Sequence, residues 1–263
     1  METAGYVAAL FIGISLGLIG GGGSILTVPV LVYLFGISPA VGISYSLFVV
    51  GITSLVGAFN NYRKGLVNFK VALIFGVASI STVFITRKFI VPLILNKLFQ
   101  IGSISVTYSL LVMLLFAVLM LAASISMIRS RKIAVDEKNI SQQHDLLVFL
   151  YGIVIGLVTG FLGAGGGFLL IPALVILMKL PIKEAIGTSL LIIALNSLIG
   201  FVGDIGHYTI SWKFLLTVSC IAIVGVFIGG FFNDKVNAEK LKKGFGWFVL
   251  VMGIYIIVKE IFL

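Results

Sequence analysis

Long apolar stretches recur along this chain with few charges inside them, and that feature fixes the solvent for which it is built. The run SLLVMLLFAVLMLAASISMI (109–128) is one example. As a helix, such a run is about 30 Å long, the thickness of a bilayer's hydrocarbon core. Of 263 residues, 60% are hydrophobic and 10% charged, where an ordinary soluble domain carries about 25% charged residues. The expected class is an all-α polytopic membrane protein, with the lipid bilayer as its first partner and a prokaryotic plasma (inner) membrane as its place. The net charge of +9 falls in short segments between apolar runs, which reads as anchoring of cytoplasmic loops and not as nucleic-acid binding. Met1-Glu2-Thr3 lacks the basic region of a cleaved signal, so the first apolar segment is expected to be retained. Cys220 stands alone and His144 and His207 lie far apart. With no HExxH and no Ser-His-Asp spacing, no catalytic residue, metal site or cofactor is expected, and the chain is not read as an enzyme.

A shift of 143 residues aligns the chain with itself without a gap over 13–70 and 156–213. Gly13, Gly17, Gly20, Gly22 and Gly23 fall on Gly156, Gly160, Gly163, Gly165 and Gly166; Pro29 falls on Pro172; Ser46, Ser54 and Lys70 fall on Ser189, Ser197 and Lys213. Matched Gly, Pro and Ser are hard to obtain by composition alone, so the chain reads as two homologous halves. Their bounds are 1–130 and 146–263, with 131–145 a charged cytoplasmic linker.

Each half reads as an apolar piece, a glycine run, a second apolar piece and three full-length apolar segments. The pieces are about 5–19 and 25–35, then 147–162 and 168–178. The helices are about 40–59, 66–86 and 103–128, then 183–202, 210–232 and 244–262. FIVPLILNKLF (89–99) and NDKVNAEKLKK (233–243) read as interfacial segments, and DEKNISQQHD as solvated. Two topologies remain open. If each broken segment crosses, the basic residues divide evenly. If each is a re-entrant hairpin, Arg87, Lys88, Lys97, Lys213 and Lys259 share one side and the other basic residues the opposite one, which the positive-inside rule favours. The halves are then inverted repeats, each a Gly-rich hairpin plus three transmembrane helices.

The runs LIGGGGSILTVP and FLGAGGGFLLIP raise the question of what backbone needs them. A chain that reverses inside the bilayer needs positive φ and close approach, which glycine allows. A helix is expected to start after each run, near Ile25 and near Phe168, and its first free N–H groups carry partial positive charge. Two such starts facing each other form an anion site from Gly20, Gly21, Gly22, Gly23 and Ser24 together with Gly163, Ala164, Gly165, Gly166 and Gly167. Gly22 and Gly165 are expected to adopt positive φ and face the space between the starts. Gly13, Gly17, Gly51, Gly57, Gly225 and Gly229 read instead as helix-crossing positions.

GGGGSILTVP and GAGGGFLLIP, with GISYSL, GTSLL and the two-halved layout, resemble the TauE/SafE family of sulfite and organosulfonate exporters over essentially the whole chain. The resemblance implies a permease for small anions and does not fix the substrate. It departs from internal symmetry at Gly21 and Ser24, which face Ala164 and Gly167 in the second run.

Side chains that complete such a site are few. Ser46, Thr188 and Ser189 offer hydroxyls to an oxyanion or bond to their own helix carbonyls. Asn196 is either ligand or interhelical glue. Asp204, with His207 three residues on, either titrates at a cavity mouth and couples transport to protons or lies in an interfacial turn. No P-loop ending follows the glycines, so gradients supply the energy. The leading function is secondary transport of a sulfur oxyanion or organosulfonate. A passive anion channel or an embedded enzyme is the alternative, and a homo-oligomer is compatible with the sequence.

Overall fold

The computed structural model describes residues 2–94, 99–101, 104–129, 145–163, 165–232 and 238–262. Its helices are α1 (Glu2–Ile19), α2 (Gly21–Leu34), α3 (Pro39–Arg63), α4 (Phe69–Ile94), α5 (Tyr108–Ile128), α6 (Asp145–Leu162), α7 (Gly167–Leu177), α8 (Ile182–Asp204), α9 (Trp212–Phe232) and α10 (Ala238–Phe262). One departure from the all-α expectation is a two-stranded hairpin, β1 (Phe99–Ile101) against β2 (Ile104–Val106), with Gln100 opposite Ser105. Among the described residues, six helices (α3, α4, α5, α8, α9 and α10) are long and apolar enough to cross a membrane. Starts follow local chemistry. Pro39 opens α3 in its first turn, and the Asn68 and Thr107 side chains accept the Val71 and Leu110 N–H groups at 3.1 and 3.3 Å, satisfying donors that a helix start leaves free.

α1 and α2 fold back on each other. Tyr6 meets Phe35 edge to face, ring centroids 5.2 Å apart. Had the chain run straight on as a helix, these residues would lie about 44 Å apart. The bend sits at Gly20, whose φ of 77° is a conformation that β-carbon sterics deny to most residues. In the second half Ile155 of α6 packs in one cluster with Leu170 and Leu174 of α7. Both glycine segments thus fold back as hairpins.

The halves interlock reciprocally. Gly13 and Gly17 of α1 press on Ala222 and Val226 of α9, while Gly152 and Gly160 of α6 press on Ala78 and Thr86 of α4. These are one pairing with the halves exchanged, and each pair runs parallel. α3 and its counterpart α8 run antiparallel, Gly51 meeting Leu198 and Gly57 meeting Leu190; α5 and α10 do likewise, Gly246 meeting Met127 and Gly253 meeting Leu121. Small residues at these crossings let backbones approach where lipid offers no hydrophobic drive.

Two boundaries differ from expectation. FIVPLILNKLF does not begin an interfacial element: α4 continues to Ile94 through a π turn at Thr86–Ile90, and 95–98 lie outside the described residues. NDKVNAEKLKK is helical from Ala238, in one piece with the last crossing; 233–237 lie outside the described residues, as do 130–144 and with them most of the linker. A second π turn, Val30–Leu34, follows Pro29, whose missing N–H and ring disrupt the regular ladder.

Candidate functional site

The described residues of the two glycine runs are buried, and the runs differ in conformation. In the first, only Gly20 has positive φ. The helix starts at Gly21 as 3-10 turns, four residues before the expected start, and Ser24 Oγ donates to the Gly21 carbonyl at 2.7 Å. In the second, Gly163, Gly165 and Gly166 all lie near φ +66°, and α7 starts at Gly167; Ala164 is outside the described residues. Serine at 24 against glycine at 167 gives a physical reason, because its hydroxyl holds the first run in a tight helical turn. The expected symmetry of Gly22 and Gly165 is therefore corrected. A β-carbon on Gly22 would find Ile19 Cγ2 at 3.4 Å, ordinary contact, whereas one on Gly165 would crowd Ile193 at 2.7 Å and Val50 at 2.9 Å. Gly23 is confined by Ser15 and by the Leu16 N at 2.7 Å. Nor is there open space between the two starts at their point of contact: a β-carbon on Gly21 would stand 2.6 Å from Gly167 Cα.

Each run is held by the opposite half. Gly20 abuts Ile186, and Gly163 abuts Ile43, again one contact with the halves exchanged. Ser46 places its hydroxyl 2.8 Å from the Ile43 carbonyl and 2.5 Å from the Gly163 carbonyl; it has one proton to share between them. Ser189 donates to the Ile186 carbonyl at 2.9 Å. Thr188 Oγ1 accepts the Asn68 N–H at 2.9 Å, and its counterpart Tyr45 accepts the Ser211 N–H at 2.7 Å. Thr188 thus ties α8 to the start of α4, a role in the fold that its place in the sequence does not reveal.

Several buried polar groups lack a hydrogen-bond partner, two of them set against the second run. Asn196 Oδ1 accepts from Ser79 at 3.0 Å, but its Nδ2 is buried without a partner, as are the hydroxyls of Ser44, Ser54, Thr159 and Ser197. Ser197 Oγ lies 3.1 Å from the β-carbon position of Gly165, and Thr159 Oγ1 lies against that of Gly166. A buried hydroxyl or amide left unpaired costs about 1–3 kcal/mol, and most are paired in folded proteins. By contrast, a groove of about 690 Å³ beside Phe11, Leu18, Leu26, Phe245 and Phe248 is almost wholly apolar and offers an anion little.

Asp204 is the last residue of α8, at the point where a turn begins. It is buried and paired with Arg87 NH2 across the halves. His207 is exposed and touches Asp204 through its backbone, its N–H donating to the Asp204 carbonyl at 3.0 Å. Arg87, counted in the sequence among side-defining loop charges, is 1% exposed inside α4. The signal was present, since VASISTVFIT precedes it and FIVPLIL follows Lys88, leaving the charge in the middle of an apolar run. Arg87 sits in the π turn at Thr86–Ile90, a kind of bulge frequent at functional sites.

Comparison with known proteins agrees with this architecture. Residues 6–256 match the family described as Sulfite exporter TauE/SafE. A probable membrane transporter protein of Xylella fastidiosa (strain Temecula1) is 30% identical over 255 residues, covering 94% of this chain and 91% of the relative. The probable membrane transporter protein YunE of Bacillus subtilis is 28% identical over 260 residues, 93% of each chain. No solved structure matches. The chain is an integral membrane protein of prokaryotic type and belongs to the TauE/SafE sulfite exporter family.

Proposed function

We propose that this protein is a secondary transporter for a small anion, a sulfur oxyanion or organosulfonate, working in a prokaryotic inner membrane as two inverted repeats. The observation that carries the reading is the surplus of buried donors at the second glycine run: Ser197 Oγ, Thr159 Oγ1 and Asn196 Nδ2 have no acceptor, beside the start of α7 at Gly167. An oxyanion has several lone pairs on each oxygen and satisfies such donors together, aided by the positive end of α7. Gly165, Gly166 and Gly167 let the ligand approach the backbone. The first run (Gly20 to Ser24), already satisfied by Ser24 and seated on Gly167, serves as the wall of the site, and Ser46 and Ser189 hold the two hairpin tips. Inversion is supported by the antiparallel course of α3 and its counterpart α8. Without a nucleotide motif, movement draws on gradients.

The test is reconstitution in liposomes with sulfite and small sulfonates. A transporter gives saturable flux with counterflow; conductance without counterflow means a channel, and chemical change of the anion means an enzyme. In thermal shift assays the same anions should stabilise the wild type by mass action, and Ser197→Ala with Asn196→Ala should lose that stabilisation. Stabilisation unchanged in both would place the site elsewhere.

A further inference from the structure

We infer that Arg87 is a second anion-binding group, and that Asp204 is its resting counter-ion and the proton carrier that releases it. This rests on the reading of the protein as an anion transporter. The pair is buried, 1% and 2% exposed, inside a protein whose surroundings are hydrocarbon. A charge there is costly unless matched, and intramembrane ionisable groups commonly mark substrate or proton paths. Matching is incomplete. Arg87 NH2 holds Asp204, NH1 reaches the Gly160 carbonyl only at 3.4 Å, and Nε has no partner. The hydroxyl of Thr86, beside Arg87 in α4, is likewise buried without a partner, and the Tyr108 hydroxyl at the head of α5 faces the guanidinium. A guanidinium whose Nε is unpaired and whose second amino group is weakly held is short of acceptors, the deficit that a sulfonate or sulfite fills by bidentate contact. Gly160 stands three residues before Gly163, so the pair adjoins the second glycine run.

Charge balance supplies the coupling. Arg87 and Asp204 together are neutral, so a monoanion joining them leaves one negative charge in a medium that cannot solvate it. A proton taken up on Asp204 Oδ2 converts the carboxylate to a neutral acid, frees the guanidinium, and lets one anion take the vacated place. Anion and proton then enter and leave together, one for one. The ionisable groups facing the pair are Tyr108 from α5 and Tyr208 from the loop after α8, while α6 presents the Gly160 carbonyl. Burial holds the Tyr208 phenol above its usual range, so it remains neutral near pH 7 and does not compete for the proton. His207 is exposed on the same loop, two residues beyond Ile205, and its backbone N–H holds the Asp204 carbonyl. The 143-residue repeat does not duplicate the pair: Asn61 matches Asp204 and Gly230 matches Arg87, and Asn61 Nδ2 donates to the Gly57 carbonyl at 2.8 Å. The device is single, so each cycle moves one proton.

The experiment uses purified full-length protein in liposomes with radiolabelled methanesulfonate, which does not titrate near neutrality, and sulfite. Asp204→Asn should keep counterflow and bind at neutral pH at least as tightly as wild type, yet lose accumulation driven by an inward proton gradient by tenfold or more. The neutral pair R87Q/D204N, which leaves no buried unpaired charge, should fold and lose affinity tenfold or more. Arg87→Lys covers the case in which that pair does not fold: it keeps a charge but not the planar fork, and should retain proton-driven uptake with weakened affinity. Wild-type accumulation in Asp204→Asn, loss of its counterflow in folded protein, or wild-type affinity in R87Q/D204N or Arg87→Lys would each overturn the inference while leaving the transporter reading intact. Absence of saturable flux in the wild type with both anions sinks the transporter reading itself, and this inference with it.

Discussion

Gly21 and Gly167 meet backbone to backbone where the two hairpins touch, so that a β-carbon on either would overlap the other's main-chain atoms. Nothing but glycine fits at this contact, and one residue further on the constraint vanishes at Gly22. Gly167→Ala is therefore expected to destabilise by about 1–3 kcal/mol through overpacking, while Gly22→Ala stays within about 1 kcal/mol of wild type and gains slightly in helix propensity. Thermal unfolding of the two variants in detergent separates them. Equal losses would show that the two runs are not seated as described.

Gly165 combines two demands, a left-handed backbone at φ +65° and crowding from Ile193 and Val50 at 2.7 and 2.9 Å. Alanine there should cost about 1–2 kcal/mol for the backbone alone, with more from the contacts. Gly165→Val should additionally abolish anion binding measured by isothermal titration, because its branch would fill the approach to Ser197. Binding retained in a stably folded Gly165→Val protein would move the site away from this run.

Thr188 and Tyr45 perform the same task at opposite ends of the α3–α8 pair, each accepting a backbone N–H from the other half. Thr188→Val and Tyr45→Phe should each cost about 1 kcal/mol. The two effects should add, since the sites share no partner. Anion affinity should be unchanged in both. A tenfold weaker affinity in Thr188→Val would restore Thr188 to the binding site, where its residue type and position first placed it.

Much of this was legible in the sequence because it depends on local properties. Apolar length marks the six described helices able to cross a membrane, and the 143-residue repeat with its paired glycines marks both hairpin tips. Family resemblance agreed with the match over residues 6–256. What was not legible depends on register between distant segments. Arg87 and Asp204 lie 117 residues apart, and neither has an ionisable counterpart in the other half, so repeat logic could not join them. Which glycines take positive φ was decided by Ser24 folding onto Gly21, and the hydroxyl of Thr188 found a partner in Asn68 that no spacing within α8 indicates.

The hairpin geometry makes its strongest prediction outside the site. Tyr6 and Phe35 meet at the open end of the first hairpin, so the residues flanking them are expected to emerge on one face of the membrane, and the far end of α3 on the other. In a Cys220→Ala background, Thr3→Cys and Ser38→Cys should label with an impermeant maleimide from the same side, the periplasmic one. Lys64→Cys, just beyond the 25-residue α3, should label from the opposite side. All three positions are exposed, so reactivity reports sidedness and not burial. The mirror test in the second half uses Lys179→Cys and Lys213→Cys, which flank α8 and should label from the cytoplasmic and periplasmic sides respectively if the halves are inverted. Thr3→Cys and Ser38→Cys labelling from opposite sides would mean that the glycine segment crosses, and Lys64→Cys labelling with Lys213→Cys would mean that the halves are not inverted.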